Sequence, residues 1–237
     1  RQDLRVEERL DCEKALIKNV DGIGATSSII RDILQDFYQY EGQIYWLPPC
    51  IDTKRYYQRE INHENPIWQY LYTVSGISVN KLQKSRIISE ISRTVRTKGK
   101  RVLIESFAKL LQKKSDVVLI VSIDQNQTLL FEELNNLIQN LGISRSTVVV
   151  GSVWEKLPSI YSLSDIYCTP SIVEGFGMSA QEAAATKVPV IASHKVPYVT
   201  ENLLGETPKK FVYQDNKYIT IGDGAIVVLA DDLEGFA

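Results

Sequence analysis

Cysteine and histidine are scarce in this sequence. Its 237 residues contain three cysteines and two histidines. Cys12, Cys50 and Cys168 are odd in number, widely spaced and without a CxxC pattern, which argues against a disulfide framework or a zinc site. We therefore expect no bound metal and no tightly bound cofactor. The same cysteine usage favours a reducing environment, so we predict a cytoplasmic protein.

An excess of one charge and a long apolar run are also missing. Twenty-seven Lys and Arg residues oppose 29 Asp and Glu residues, and the net charge is -2. Such a chain has no overall positive field that would attract nucleic acid or an anionic membrane. The longest apolar stretches, such as residues 117–123 and 225–230, are far shorter than the roughly 20 residues of a membrane span. We expect no nucleic-acid partner and no transmembrane segment, and any basic site must be local.

Apolar segments of strand length alternate with amphipathic segments of helix length along most of the chain. The strand segments are continuously apolar, which is typical of a parallel sheet that helices cover on both faces. The pattern predicts an α/β fold with a doubly wound, Rossmann-like parallel sheet, whose ligands bind at the carboxyl ends of the strands. It weakens after Gly205. Predicted strands cover residues 22–25, 44–47, 86–91, 117–123, 147–150, 166–168 and 188–192, and predicted helices cover residues 4–20, 27–37, 66–84, 100–113, 129–141, 157–163 and 178–186.

A polar segment separates two parts of this pattern. Pro48 and Pro49 end a predicted strand, and the stretch 53–65 that follows is rich in Arg, Tyr, Asn and Glu. Such composition indicates a linker or surface crossover. We therefore divide the chain into a first segment (1–55), a crossover (56–85) and a main α/β domain (86–237).

A cluster of cations follows the predicted strand 86–91. Five Lys and Arg residues lie between Arg93 and Arg101, and the next predicted helix begins among them. A helix N-terminus offers unpaired N–H groups and a partial positive charge, so Arg93 and Lys98 beside it would suit a diphosphate. A solvated basic turn is the alternative interpretation. A nucleic-acid site is disfavoured because the run is short and has no interleaved aromatic residues.

Two carboxylates flank a glycine-rich turn after the predicted strand 166–168. Glu174 precedes the turn 175–178, whose sequence is Gly-Phe-Gly-Met, and Glu182 lies in the helix predicted to follow. Glycine allows the backbone to approach a ligand closely, and carboxylates accept charge-assisted hydrogen bonds from sugar hydroxyls. We expect both carboxylates to face the same crevice. Taken singly, they could instead be a solvated loop residue and a carboxylate at a helix start.

Together the two turns resemble the donor-binding domain of glycosyltransferase family 4, whose members have the two-domain GT-B fold. The resemblance rests on Arg-x4-Lys-Gly at 93–99 and Glu-Gly-Phe-Gly-x4-Glu at 174–182, with further similarity in residues 44–52, 148–153 and 188–193. Cys50 and the pair Lys195-Val196 stand where the family usually has glycine. The resemblance implies mostly the C-terminal donor domain plus the closing segment of an N-terminal, acceptor-side Rossmann-like domain. Since the chain also starts at Arg1 without Met, we expect it to be a fragment.

The resemblance implies a retaining transfer of a hexose from a nucleoside-diphosphate sugar. Arg93 and Lys98 would stabilise the departing nucleoside diphosphate and Glu174 would orient the transferred sugar, so these three are the predicted catalytic residues. The predicted donor-binding residues are Glu182 at the ribose, Gly175, Phe176, Gly177 and Met178 at the sugar or phosphate, and Gly151 and Val153, at a strand end, beside the base.

The donor is predicted to be a UDP-hexose first and GDP-mannose second, and the acceptor a sugar or other hydroxyl compound. Two alternatives stay open. A nucleotide-sugar epimerase of the same architecture would bind the same donor without an acceptor. A non-catalytic sugar-nucleotide-binding fragment would bind the donor without turnover.

Overall fold

The computed structural model describes residues 5–237, which form two compact units. The first unit ends at Cys50, and the second runs from Ile51 to Ala237. Within the first unit, two short parallel strands pair in register from Gly22 with Gln43 to Ala25 with Trp46. Leu4, where the first predicted helix begins, lies outside the described residues. The elements of the first unit are α1 (Val6–Lys18), β1 (Gly22–Ala25), α2 (Ser28–Asp32), which continues as a π-helical turn (Ile33–Phe37), and β2 (Gln43–Trp46).

The second unit contains the alternating strands and helices that the apolar pattern predicts. Its strands are β3 (Arg86–Glu90), β4 (Val117–Ser122), β5 (Thr147–Val150), β6 (Ile166–Thr169), β7 (Val190–Ser193), β8 (Lys209–Gln214), β9 (Lys217–Ile221) and β10 (Ala225–Val228). Its helices are α3 (Pro66–Ser75), α4 (Val79–Lys84), α5 (Lys100–Lys113), α6 (Thr128–Asn140), α7 (Leu157–Leu163), α8 (Met178–Ala185) and α9 (Leu233–Phe236).

These eight strands form one sheet in the order β5-β4-β3-β6-β7-β10-β9-β8. The pairs from β5 to β10 are all parallel. Counted along the second unit, the parallel strands stand in the order 3-2-1-4-5-6, which is the order of the Rossmann fold. The prediction of a doubly wound parallel sheet is therefore confirmed. The order reverses between β3 and β6, and this is the topological switch point of the sheet.

Apolar side chains cover both faces of this sheet. Val118 and Ile120 of β4 belong to one buried cluster, whereas Leu119 and Val121 belong to the cluster on the other face. All six residues of β4 are buried. Successive side chains of a strand point to opposite faces, so a strand that is buried on both sides must be apolar throughout. This explains the continuous apolar runs in the sequence.

Two predictions about the elements are corrected by the structure. The helix predicted for residues 66–84 is two helices, because Gly76 adopts a left-handed conformation (φ 70°) that ends α3 and Ser78 then caps α4 by accepting a hydrogen bond from the Lys81 N–H. The sheet is also not parallel throughout, since β8, β9 and β10 pair antiparallel. Every residue of β8 is exposed, so this edge strand lacks the apolar run that identified the central strands.

Candidate functional site

The loops that follow β3 and β6 meet at the switch point of the sheet. The N–H of Ile172 donates to the carbonyl of Thr97 at 2.9 Å. Gly99 has φ +65°, and a Cβ added there would collide with the carbonyl oxygen of Pro170. The two turns that the sequence singled out are therefore in contact. At a switch point the chain leaves neighbouring strands in opposite directions, which opens a crevice there.

The five cations of the basic turn have different surroundings. Lys98 pairs with Glu174, Lys100 with Glu90, and Arg96 and Arg101 with Glu133. No carboxylate of residues 5–237 lies within ion-pair distance of Arg93, whose side chain is exposed. Lys98 and Lys100 are buried against their carboxylate partners, whereas the three arginines of the turn are exposed. The turn is therefore solvated only in part. Arg93 keeps an unpaired guanidinium that can bind an anion.

Lys98 and Glu174 form an ion pair between the two turns. Their side chains are 11% and 15% exposed, so the pair is largely removed from water. Ion pairs are stronger in such surroundings than at the open surface, and each partner holds the other in place. The structure thus brings two of the predicted catalytic residues into direct contact. The ammonium group of Lys98 is held in place by the Glu174 carboxylate.

A cavity of about 530 Å³ lies at the carboxyl ends of β3, β4 and β5. Such a volume is within the usual range of pockets for small molecules and nucleotides. The cavity brings Arg93, Gly151, Val153 and Glu182 together. Its wall consists of residues 91–95 after β3, Ser122 and Asp124 at the end of β4, residues 151–154 after β5, Gln127, Leu157, Tyr161 and Glu182.

Glu182 is held in the cavity wall by tyrosine hydroxyls. Tyr161 donates to its carboxylate at 3.0 Å. Burial raises the pKa of Glu182 above its ordinary value, and the tyrosine hydroxyls and Arg55 offset part of this effect. Burial and the negative charge of Glu182 raise the pKa of Tyr56 to about 12. Both tyrosines are therefore protonated at neutral pH, and Glu182 presents its remaining acceptor capacity to the cavity.

Glu182 belongs to the wall of the cavity, whereas Glu174 is paired with Lys98 and does not line it. That both carboxylates face the same crevice stays a prediction. The glycine-rich turn between them packs tightly against the segment after β7. Gly177 has φ +110°, and a Cβ there would collide with Val196.

Two side chains of the glycine-rich turn have different exposures. Phe176 is buried, and its ring centroid lies 5.4 Å from that of Tyr198. Its carbonyl also accepts a hydrogen bond of 2.7 Å from the Tyr198 N–H. Met178 is exposed, and it is the first residue of α8. None of residues 175–178 belongs to the wall of the cavity that contains Glu182, so their contact with sugar or phosphate stays a prediction.

Sequence reasoning missed a buried polar cluster beneath the basic turn. Glu90 and Lys100 form an ion pair with side chains 1% and 2% exposed. From the sequence alone, Lys100 is one of the five cations of the basic turn. The available signal was Glu90 itself, a carboxylate within a predicted strand of the parallel sheet, where an unpaired charge is costly.

Arg55, which the sequence did not predict, contacts Trp154 in the strand-end segment 151–154 that is expected to lie beside the base. The guanidinium of Arg55 lies over the Trp154 ring, 4.3 Å from its centroid, and also donates to the Trp154 carbonyl. Arg55 comes from the polar segment after residue 50, which the sequence identified only as a crossover. A cation over an exposed indole places a flat, positively charged group beside the residues expected to contact the base.

Residues 5–237 contain neither a candidate cluster of metal ligands nor a candidate membrane span. No cluster of three or more His, Cys, Asp or Glu residues in this part of the chain could hold a metal ion. Among the same residues, no helix has the length and apolarity of a transmembrane span.

The fold and the position of the cavity define a Rossmann-type α/β domain with its crevice at the topological switch point. The model of the family described as glycosyl transferases group 1 matches residues 77–234, which is more than half of the chain. The chain therefore belongs to this family. The match covers both turns and every strand of the large sheet.

Curated relatives extend the same similarity. The chain is 24% identical over 198 residues to mannosylfructose-phosphate synthase from Agrobacterium fabrum, which covers 81% of this chain and 41% of the relative. It is 29% identical over 194 residues to D-inositol 3-phosphate glycosyltransferase from Corynebacterium urealyticum, covering 79% of this chain and 44% of the relative. The chain thus spans less than half the length of these relatives.

Solved structures show the same fold. A glycosyltransferase from Rickettsia africae superposes with a TM-score of 0.73 at 19% identity, covering 94% of this chain and 54% of that one. Anabaena HepE, solved in complex with UDP and glucose, superposes with a TM-score of 0.73 at 17% identity, covering all of this chain and 57% of that one. These likenesses show the α/β fold of GT-B glycosyltransferases.

Proposed function

We propose that this chain binds the nucleotide-sugar donor of a retaining glycosyltransferase of family 4. The observation that carries the proposal is the unpaired guanidinium of Arg93 in the wall of a cavity that also contains Glu182. A cation suits the phosphates of a nucleoside diphosphate and a carboxylate suits its ribose hydroxyls. Membership of the glycosyl transferases group 1 family supports hexose transfer over epimerisation.

Each predicted residue then has a role in the proposed complex. Arg93 and Lys98 bind the diphosphate and stabilise the charge that develops on it as the glycosidic bond breaks. Glu182 accepts hydrogen bonds from the ribose hydroxyls, and Gly151 and Val153 contact the base. Glu174, fixed by Lys98, orients the sugar, and the backbone of residues 175–178 contacts sugar or phosphate.

For the donor and the acceptor we propose classes of compound. A UDP-hexose is the first choice, supported by a structural neighbour solved with UDP and glucose, and GDP-mannose is the second. The acceptor is a sugar or another hydroxyl compound, received by the domain to which we assign residues 1–55. Residues 56–85 form the crossover, and residues 86–237 form the donor domain. A cytoplasmic location stays a prediction from cysteine usage.

Calorimetric titration with UDP, GDP, UDP-glucose and GDP-mannose tests the proposal. We expect one nucleotide to bind selectively and Arg93→Ala to weaken it by about 1–3 kcal/mol, the scale of a charge-assisted hydrogen bond. Arg96→Ala is the matched control, because Arg96 is an exposed arginine of the same turn that is paired with Glu133 and lies outside the cavity wall. Absence of binding, or equal losses in both variants, would contradict the assignment.

A second candidate is a sugar-nucleotide-binding chain without turnover. It would bind the donor through the same cavity without transferring the sugar. Incubation with the donor that binds, with and without simple sugar acceptors, separates the two candidates. Released nucleoside diphosphate supports transfer or hydrolysis, whereas binding without release supports the second candidate.

A further inference from the structure

Glu90 and Lys100 form a buried ion pair that bridges the two ends of the basic turn. Glu90 is the last residue of β3 and Lys100 is the first residue of α5, so the turn that contains Arg93 and Lys98 runs between them. Their side chains are 1% and 2% exposed. Neither side chain belongs to the wall of the cavity.

The same pair is connected to the backbone just before Arg93. Lys100 Nζ donates to the Ser92 carbonyl at 3.2 Å, to Ser92 Oγ at 3.1 Å and to Ser122 Oγ at 3.2 Å. Ser122 Oγ donates to the Ser92 carbonyl at 2.7 Å and accepts from the Ser92 N–H at 3.0 Å. Ser92 Oγ donates to the carboxylate of Glu90. The N–H, the carbonyl and the hydroxyl group of Ser92 all form hydrogen bonds within this network. The network therefore holds the Ser92 peptide in this orientation.

Stability alone does not account for such a pair. Removing two charges from water has a large desolvation cost, and replacing a buried ion pair with apolar side chains of similar volume is often neutral or stabilising. Burial also lowers the pKa of Lys100, with Glu90 acting in the opposite direction. A fully satisfied buried polar network does, however, fix geometry that apolar packing leaves free.

We propose that Glu90 and Lys100 are positioning residues for Arg93, and that they act by fixing the Ser92 peptide beneath the diphosphate end of the cavity. The inference rests on the proposed function, in which Arg93 contacts the diphosphate. In this proposal the pair orients the basic turn that contains Arg93 and does not itself contact the ligand. Misplacement of a binding group by about 1 Å can cost a factor of about a hundred, so this orientation has a measurable effect.

The test compares a nucleoside diphosphate with its nucleoside. The double variant Glu90→Leu/Lys100→Met replaces the pair with apolar side chains, and Glu90→Gln is a milder second variant that keeps a hydrogen-bonding group. For the double variant of verified fold, we expect UDP to bind at least about tenfold more weakly while uridine binds as to the wild type. Glu90→Gln should show a smaller loss in the same direction. GDP and guanosine replace UDP and uridine if the wild-type chain selects GDP.

The control removes an exposed ion pair beside the same turn. Arg101→Gln/Glu105→Gln deletes a pair of the same net charge on the first turns of α5, where the Arg101 and Glu105 side chains are 60% and 25% exposed. It should leave both affinities unchanged. Hydrogen exchange adds a second readout, because only the Glu90 and Lys100 variants should accelerate amide exchange in residues 92–95.

The outcomes separate this inference from the proposed function. Unchanged UDP affinity in folded Glu90→Leu/Lys100→Met and Glu90→Gln would overturn the inference and leave the proposed function intact. Equal losses for UDP and uridine would also overturn it, since they indicate general structural damage. Absence of nucleotide binding by the wild-type chain would overturn the proposed function and this inference with it.

Discussion

Glu182 is subject to two opposing demands at a single residue. In the proposed complex its carboxylate accepts hydrogen bonds from ribose hydroxyls more strongly when ionised, yet its burial favours the protonated form and raises its pKa. A carboxyl whose pKa is higher in the folded than in the unfolded state contributes stability at low pH that is lost as the pH rises. At neutral pH the ionised Glu182 is therefore a cost to the fold.

Replacing Glu182 with glutamine should separate these two demands. We expect Glu182→Gln to bind UDP more weakly by about 1–3 kcal/mol at pH 7, because a charged acceptor is lost. Thermal unfolding at pH 7 should give a Tm equal to or above that of the wild type, because the desolvated charge is gone. In the wild type, UDP affinity should fall as the pH is lowered toward the raised pKa of Glu182, and the variant should lack this dependence. A lower Tm with unchanged affinity would contradict the prediction.

Gly151 offers a way to fill the cavity without disturbing the fold. A Cβ added at this position meets no atom within 4 Å, and Gly151 has no left-handed backbone angle that would make a side chain strained. The residue nevertheless lies in the cavity wall. A larger side chain here has room in the free protein and takes that room from a ligand.

We therefore expect Gly151→Leu to bind UDP at least about tenfold more weakly with a Tm within a few degrees of the wild type. Calorimetry and thermal unfolding of the same preparation measure the two effects. Gly151→Ala should lie between the wild type and the leucine variant. Tight UDP binding to Gly151→Leu would show that the nucleotide does not occupy this part of the cavity.

Among the elements, the contact between the loops after β3 and β6 determines whether the site forms. Gly99 combines a left-handed conformation with a close approach to the Pro170 carbonyl. Gly142 has a similar φ of +68°, but a Cβ there meets nothing within 4 Å. Both glycines therefore adopt a left-handed conformation, but only Gly99 also approaches another segment of the chain closely.

This difference predicts unequal effects of two alanine substitutions. Gly142→Ala should lower the free energy of unfolding by about 1–2 kcal/mol, the cost of a left-handed non-glycine residue. Gly99→Ala should lower it further, because Pro170 must also shift, and it should weaken UDP binding as the two loops separate. Chemical denaturation and calorimetry measure both quantities. Equal stability losses would indicate that the loops do not need this close contact.

At the scale of the whole molecule, every residue of the candidate cavity lies in the second compact unit, between Ile91 and Glu182. Lys98, Glu174 and Arg55 belong to the same unit, which begins at Ile51. The residues proposed to bind the donor therefore all belong to the second unit.

A chain that begins at Ile51 should therefore keep the nucleotide affinity of the full 237-residue chain. Calorimetry on the two forms, with circular dichroism to verify the fold of the shorter one, tests this expectation. A loss of binding in a folded chain 51–237 would mean that residues before Ile51 contribute to the donor site.

The sequence by itself determined the succession of elements and the position of both turns. Continuous apolar runs identified β3 to β7 to within two residues, because a strand covered on both faces has no freedom to be polar. The strand β10 was not predicted, although residues 225–228 are apolar. The positions of Arg93 and Glu174 just after such strands placed them at the same edge of the sheet. The split of the helix at Gly76 and the exposed edge strand β8 were missed, since neither produces a strong apolar period.

Only the tertiary structure decided which charged groups are partners. Lys98 and Glu174 are 76 residues apart in the chain, and no local pattern selects this pairing over others. The same holds for the burial of Lys100 against Glu90, which distinguishes it from the neighbouring Lys98 and leaves Arg93 as the unpaired cation of the turn. The physical reason is that helices and strands follow from the periodicity of residues close together in the sequence. Desolvation and ion pairing depend instead on which groups the fold brings within a few ångströms of each other.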